Sequence, residues 1–184
     1  PGSFMSILGI TLLKEIVNKS DSLRTNQILD HLRMHVINSL HQSRTKNGTK
    51  DGMEIALCIF DFDKGILQYS GAYRPVYIIT ENNIRELAGD YMPIGIYEDE
   101  ESSFSIKEIP FKKNDTAYLF TDGYADQIGG INRKTFRTKY FRELLLQIHH
   151  LPMNDQKDIL WNKLLEWKGD IDQVDDILVL GIRL

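Results

Sequence analysis

Residues 119–130 read LFTDGYADQIGG, an apolar, strand-like run that stops on Thr121-Asp122-Gly123 and then turns polar. Two readings of that stop are open. An Asp-Gly pair makes tight hairpin turns, because both residues tolerate the positive φ such turns need. Asp122 is also a candidate metal ligand at the rim of a sheet, with Gly123 keeping the adjacent space clear for an ion, a water or a phosphate. Taken alone, the stretch favours the turn.

Downstream, TFRTKYFRELLLQIHH and MNDQKDILWNKLLEWKG carry helical periodicity and are separated by Leu151-Pro152. A last strand is expected in DDILVLGIRL, where Asp175 and Asp176 stand at the start of the apolar run. Side chains alternate faces along a strand, so only one of these adjacent carboxylates would aim at a given centre. If the ends of the two acid-bearing strands met, they would form half of an oxygen-rich site of the kind hard divalent ions take. A two-metal hydrolase holds its ions roughly 3.5–4 Å apart with several carboxylates, and two aspartates are too few for that. Solvated acids at a strand entry are the simpler reading of Asp175 and Asp176 in isolation.

Upstream, PGSFMSILGITLLKEIV opens directly into a helical pattern with Phe4, Ile7, Leu8, Leu12 and Ile16 on one face. The chain looks like part of a longer protein. After the polar NKSDSLRT, NQILDHLRMHVINSLHQ repeats the helical spacing, and SRTKNGTKDG reads as a loop with Asn47-Gly48 and Asp51-Gly52 turn signals. MEIALCIFDF, ILQYSGAY and VYIITE then predict an antiparallel meander, and after the acidic loop YEDEES two more strands are expected in FSIKEIPF and TAYLFTDG. Helix pair, strand block, helix pair and strand together argue for α+β layers rather than alternating βαβ units.

With 184 residues, 42% of them hydrophobic, the chain can bury a sizeable core. A net charge of -4 and a pI near 5.7 disfavour nucleic acid and anionic membrane surfaces as partners. No apolar run approaches the ~20 residues of a membrane helix, and no secretory signal opens the chain. The single cysteine, Cys58, lies in the apolar IALCIF, reads as a core thiol and excludes an intrachain disulfide, which suits a cytoplasmic location.

Five pieces in order, PGSFMSILG, YSGAYRPVYII, PIGIY, LFTDGYADQIGG and QVDDILVLGIRL, resemble the metal-dependent protein phosphatase superfamily. The branch they resemble is the bacterial one related to the sporulation stage II protein E phosphatase. DGYADQIGG followed by EWKGDIDQVDD is similar to phosphatase domains that end bacterial sensor proteins. The resemblance implies an antiparallel β-sandwich flanked by helix pairs, a binuclear Mn2+ or Mg2+ centre, and hydrolysis of phosphoserine or phosphothreonine on a partner protein. In relatives that partner is often an anti-sigma-factor antagonist. Asp122 and Asp175 match two metal-binding aspartates of the family, and Asp126 matches a more variable acidic position associated with a further, weaker ion.

Two family motifs are missing, a Gly-Asp strand and an Asp-x-x-Gly-His-Gly loop, both of which precede the helix that PGSFMS opens. The resemblance therefore implies that residues 1–184 form a single partial phosphatase domain lacking its first strands. Alone it is expected to bind metal weakly, to hydrolyse little and to self-associate through uncovered edges. A catalytically silent, phosphatase-like binding module is the alternative.

Other residues carry blander expectations. His31 and His35 have i, i+4 spacing, but HLRMH lacks the glutamate of a zinc protease helix and reads as a surface or partly packed pair. His41, His149 and His150 fall near helix ends, where a cation favours the dipole. Trp161 and Trp167 read as core packing with an amphipathic edge, and Arg74 as a solvated turn residue.

Overall fold

The computed structural model describes residues 2–19, 23–42, 52–97 and 102–184. Part of the link NKSDSLRT, most of the expected SRTKNGTKDG loop and the acids of YEDEES lie outside them. In chain order the elements are α1 (Gly2–Lys19), α2 (Thr25–Ser39), β1 (Ile55–Asp61), β2 (Ile66–Ala72), β3 (Val76–Thr80), β4 (Asn83–Leu87), β5 (Lys107–Pro110) and β6 (Thr116–Phe120). There follow α3 (Gly123–Asp126), β7 (Ile128–Gly129), β8 (Lys134–Thr135), α4 (Thr138–Ile148), α5 (Met153–Lys168) and β9 (Val179–Arg183). The expected mixed α+β character with antiparallel sheets is present. No described helix is long and apolar enough to cross a membrane.

The chain divides into two compact units, residues 1–75 with 87–110, and residues 76–86 with 111–184. In the first, α1 and α2 cover a sheet of order β1-β2-β5. The buried stripe of α1 is Met5, Gly9, Leu12 and Ile16, whereas Phe4 and Ile7 are exposed. The expected face is thus rotated, because Met5, Leu12 and Ile16 are the positions that reach Leu29, Leu32 and Val36 of the core. On α2, His31 and His35 are both exposed, as a surface pair would be. Cys58 sits on β1, and burial pushes its thiol up to about 12, so it is inert packing.

The expected meander ends after β2. Tyr73 adopts a left-handed φ of 60°, and Pro75 has no N–H to give, so the chain leaves the first sheet there. β3 joins the four-stranded sheet of the second unit instead, in the order β4-β3-β6-β9. Arg74 is not a solvated turn residue: its Nε pairs with Glu54 at 2.5 Å and its side chain is 22% exposed. Glu81 and Asn82, both left-handed, form the two-residue hairpin from β3 to β4.

The second unit has an aromatic core. Tyr77 of β3, Tyr118 of β6, Tyr124 of α3 and Phe141 of α4 pack with Leu145, Leu160 and Leu164. Phe141, Leu145 and Ile148 fall on one face of α4 at the i, i+4, i+7 spacing the sequence shows. Trp167 is partly buried against Phe136, while Trp161 at 58% exposure forms the amphipathic edge of α5. His149 stands at the C-terminal end of α4, as expected, where desolvation holds its pKa below the ordinary value and its Nε2 meets Asn82 Oδ1 at 2.7 Å.

Candidate functional site

The strands β6 and β9 are antiparallel neighbours, with the last pair at Phe120 and Val179. This register brings the residues after β6 and those before β9 to the same end of the sheet, so the ends that carry Asp122 and Asp175 do meet. The last strand begins at Val179, not at Asp175. Asp175 and Asp176 therefore lie in the approach to the strand, where the alternation of strand faces does not govern their directions.

Thr121 fastens the two segments. Its backbone N–H donates to the Leu178 carbonyl (3.1 Å), its hydroxyl donates to the Asp176 carbonyl (2.7 Å), and the same oxygen accepts from the Leu178 N–H (2.9 Å). Gly123 closes the contact from the other side of Asp122. A Cβ at residue 123 would meet the Asp176 carbonyl oxygen at 2.4 Å, so only glycine permits this approach. The Asp-Gly pair does not form a hairpin turn: Asp122 is right-handed, at φ -70°, and leads into the short helix α3.

That helix sets Asp126 one turn beyond Asp122, with the Asp126 N–H donating to the Asp122 carbonyl at 3.0 Å. Asp126 is exposed and Asp122 half-buried. Tyr124 anchors α3 to α5 by donating its hydroxyl to the Leu160 carbonyl (2.8 Å), and burial pushes its phenol well above the usual tyrosine range. Across the gap, Asp175 and Asp176 are exposed. Asp175 Oδ1 accepts from the Asp176 N–H (2.7 Å), and its carbonyl accepts from Gln173 Nε2 (2.8 Å).

The sequence reading assigned no role to Thr121 or Gln127, whose side chains tie the two segments together. Gln127 is fully buried. Its Nε2 donates to the carbonyls of Asp172 and Ile128, both at 3.0 Å, while its Oε1 has no hydrogen-bond partner among the described residues. An orphaned buried acceptor of this kind costs about 1–3 kcal/mol. Beyond it, a Cβ at Gly129 would meet the Trp167 carbonyl oxygen at 2.0 Å, and Gly130 N–H donates to that same carbonyl (2.8 Å). The two glycines of DQIGG thus let the backbone of β7 lie against the end of α5.

Asp122, Asp126, Asp175 and Asp176 offer the hard carboxylate oxygens that Mg2+ and Mn2+ take, on two segments that meet at one sheet end beside a glycine-cleared contact. The donor type and location fit such an ion. The number falls short of a closed shell, because among the described residues no three His, Cys, Asp or Glu side chains come together as a metal-holding group.

The family model for stage II sporulation protein E matches residues 1–184. Among solved structures, the SiaA-PP2C domain of Pseudomonas aeruginosa is similar at TM-score 0.87 and 26% identity, over 100% of this chain and 70% of that one. A Bacillus subtilis SpoIIE structure holding the PP2C phosphatase domain and a fragment of the regulatory domain gives 0.71 at 18% identity, over 98% and 50%. The RsbU and RsbW domains of a Mycobacterium tuberculosis protein give 0.72 at 18% identity, over 98% and 47%. Those two matches carry the fold alone, and the chain spans about half the length of each. No curated protein matches the chain. With its whole length inside one family model, the chain belongs to the stage II sporulation protein E family of PP2C-type protein phosphatase domains.

Proposed function

We propose that this domain serves metal-dependent hydrolysis of phosphoserine or phosphothreonine on a partner protein, with Asp122 and Asp175 as two ligands of a binuclear Mn2+ or Mg2+ centre. The observation that carries the proposal is the β6–β9 register, reinforced by Thr121 and Gly123, which holds the two aspartate segments together. When bound, ions of this kind neutralise phosphate oxygens and make water a better nucleophile at neutral pH. The chain's own part is to orient Asp122 and Asp175 before any ion arrives, so that little ordering remains for binding to supply. Asp126, exposed at the end of α3, is proposed as the holder of a weaker ion.

Because the described carboxylates do not close a metal shell, the proposal assigns the remaining ligands to sequence preceding residue 1 and expects residues 1–184 alone to hydrolyse little. The partner is proposed to be a phosphorylated signalling protein such as an anti-sigma-factor antagonist, met in the cytoplasm at the output end of a larger sensor. Self-association of these 184 residues is part of the same proposal. It is supported by β9 at the edge of its sheet and by exposed Phe4, Ile7 and Ile10 on α1, and a monomer in light scattering contradicts it.

The test is phosphate release from a phosphoserine peptide with added Mn2+, by residues 1–184 and by a protein extended upstream by about 50–60 residues, one small subdomain. Activity confined to the longer protein supports the proposal. Robust turnover by residues 1–184 overturns the assignment of missing ligands, and silence in both favours the catalytically silent binding module. That second reading draws on the same shortage of gathered ligands.

A further inference from the structure

We infer that Gln127 is a positioning residue for this site, holding the loop 170–176 at a fixed separation from the segment that carries Asp122 and Asp126. The inference rests on the reading of Asp122 and Asp175 given under Proposed function. Gln127 occupies the junction of four segments. Its N–H donates to the Gly123 carbonyl (3.0 Å), and its carbonyl accepts from the Phe136 N–H (2.9 Å) and from Trp167 Nε1 (3.0 Å). Its main chain is thereby fixed to α3, to the residue after β8 and to the last turn of α5. From that fixed base the amide nitrogen reaches the Asp172 carbonyl.

A chain of short-range ties then runs from Asp172 to the acids. Gln173 Nε2 holds the Asp175 carbonyl, and Thr121 holds the Asp176 carbonyl. Gln127 pins one end of the loop and Thr121 the other, with Asp175 between them. Between Asp172 and Asp176 the loop has no regular secondary structure, and residues 172–176 are exposed, so these ties replace packing as the source of order.

The orphaned Oε1 separates this role from simple space-filling. A methionine of the same length would fill the same volume without burying an unpartnered oxygen, so the feature that glutamine adds is its pair of amide donors. Both are used, and one of them is spent on the acid-bearing loop. This also gives a physical role to the DQIGG and EWKGDIDQVDD stretches, which Asp122 and Asp175 alone leave unexplained. Gln127, Gly129 and Trp167 form the hinge post against which the loop is set.

The test uses Gln127→Met and, should that variant fail to fold, Trp167→Phe, which keeps the aromatic packing on Phe136 and removes the indole donor. Amide hydrogen exchange at Ile171 and Asp176, whose N–H groups donate to the Lys168 carbonyl and to Asp175 Oδ1, measured on residues 1–184 without metal, should quicken roughly tenfold while the β3 and β6 amides keep their rates. In the upstream-extended protein, the Mn2+ concentration for half-maximal phosphate release should rise about tenfold, with the rate at saturating Mn2+ largely kept. Unchanged loop exchange in a folded variant overturns the inference, and so does a fall in maximal rate at an unchanged Mn2+ requirement. Loss of activity is a separate matter: if Asp122→Ala and Asp175→Ala leave phosphate release intact, the site reading fails, whereas the exchange result still decides what Gln127 holds.

Discussion

The two ends of the β6–β9 ladder are closed by different means. At the far end, Asn114 N–H donates to the Leu184 carbonyl (2.8 Å), Leu184 N–H to the Asp115 carbonyl (2.9 Å), and the Arg183 guanidinium to the Leu151 carbonyl (2.8 Å). Those ties are mostly main chain to main chain, and they leave Asp115 buried as a turn acid whose carboxylate accepts from the Lys112 N–H. At the near end, side chains of Thr121 and Gln127 grip carbonyls of the opposite segment, and a glycine admits that segment to contact. Both ends carry aspartate, yet only the near end keeps acids at the surface, with Asp126, Asp175 and Asp176 exposed and Asp122 half-buried. The far end uses acid to finish a fold, and the near end uses the fold to present acid.

Substitutions of the residues that tie the near end together should alter stability and phosphate release together, and those at the far end stability alone. The largest effect is expected for Gly123→Val, whose branched side chain meets the Asp176 backbone. A cost of about 3 kcal/mol, or a fall in melting temperature of roughly 6–12 °C, should accompany loss of Mn2+-dependent release. Thr121→Val keeps the shape but strands the Leu178 N–H and the Asp176 carbonyl, at about 1–2 kcal/mol in urea unfolding. It should also raise the Mn2+ requirement. Arg183→Met, at the far end, should cost about 1 kcal/mol and leave that requirement unchanged; a shifted Mn2+ titration would erase the distinction between the ends. Asp126→Ala should lie within about 0.5 kcal/mol of the parent in stability and show only a small change in release.

Much of this was legible in the sequence because it rests on periodicity. The amphipathic spacings of α2 and α4, the β-branched and aromatic runs of β1 and β3, and the acids that follow β6 and precede β9 announce themselves over several residues. The partition of strands between sheets did not, because Tyr73 and Pro75 redirect the chain through backbone angles that leave no hydrophobic signature. The last strand starts late because Thr121 supplies its hydroxyl where a ladder bond to Leu178 would stand. Gln127 was hidden for a related reason: a polar residue among Asp, Gly and Asn looks solvated, and only the flanking apolar Ala125 and Ile128 hinted at burial. Short-range hydrogen bonds to backbone carbonyls, unlike apolar stripes, have no period to detect.

The most direct test of the central claim is Mn2+-dependent phosphate release from a phosphoserine peptide by the upstream-extended protein carrying Asp122→Asn or Asp175→Asn. Each replacement keeps the shape and removes the charge. The account predicts that either one lowers release more than about 100-fold, with melting temperature unchanged in the absence of metal. Release at the parent rate in either variant, from a folded protein, would contradict the assignment of these two aspartates to the metal centre.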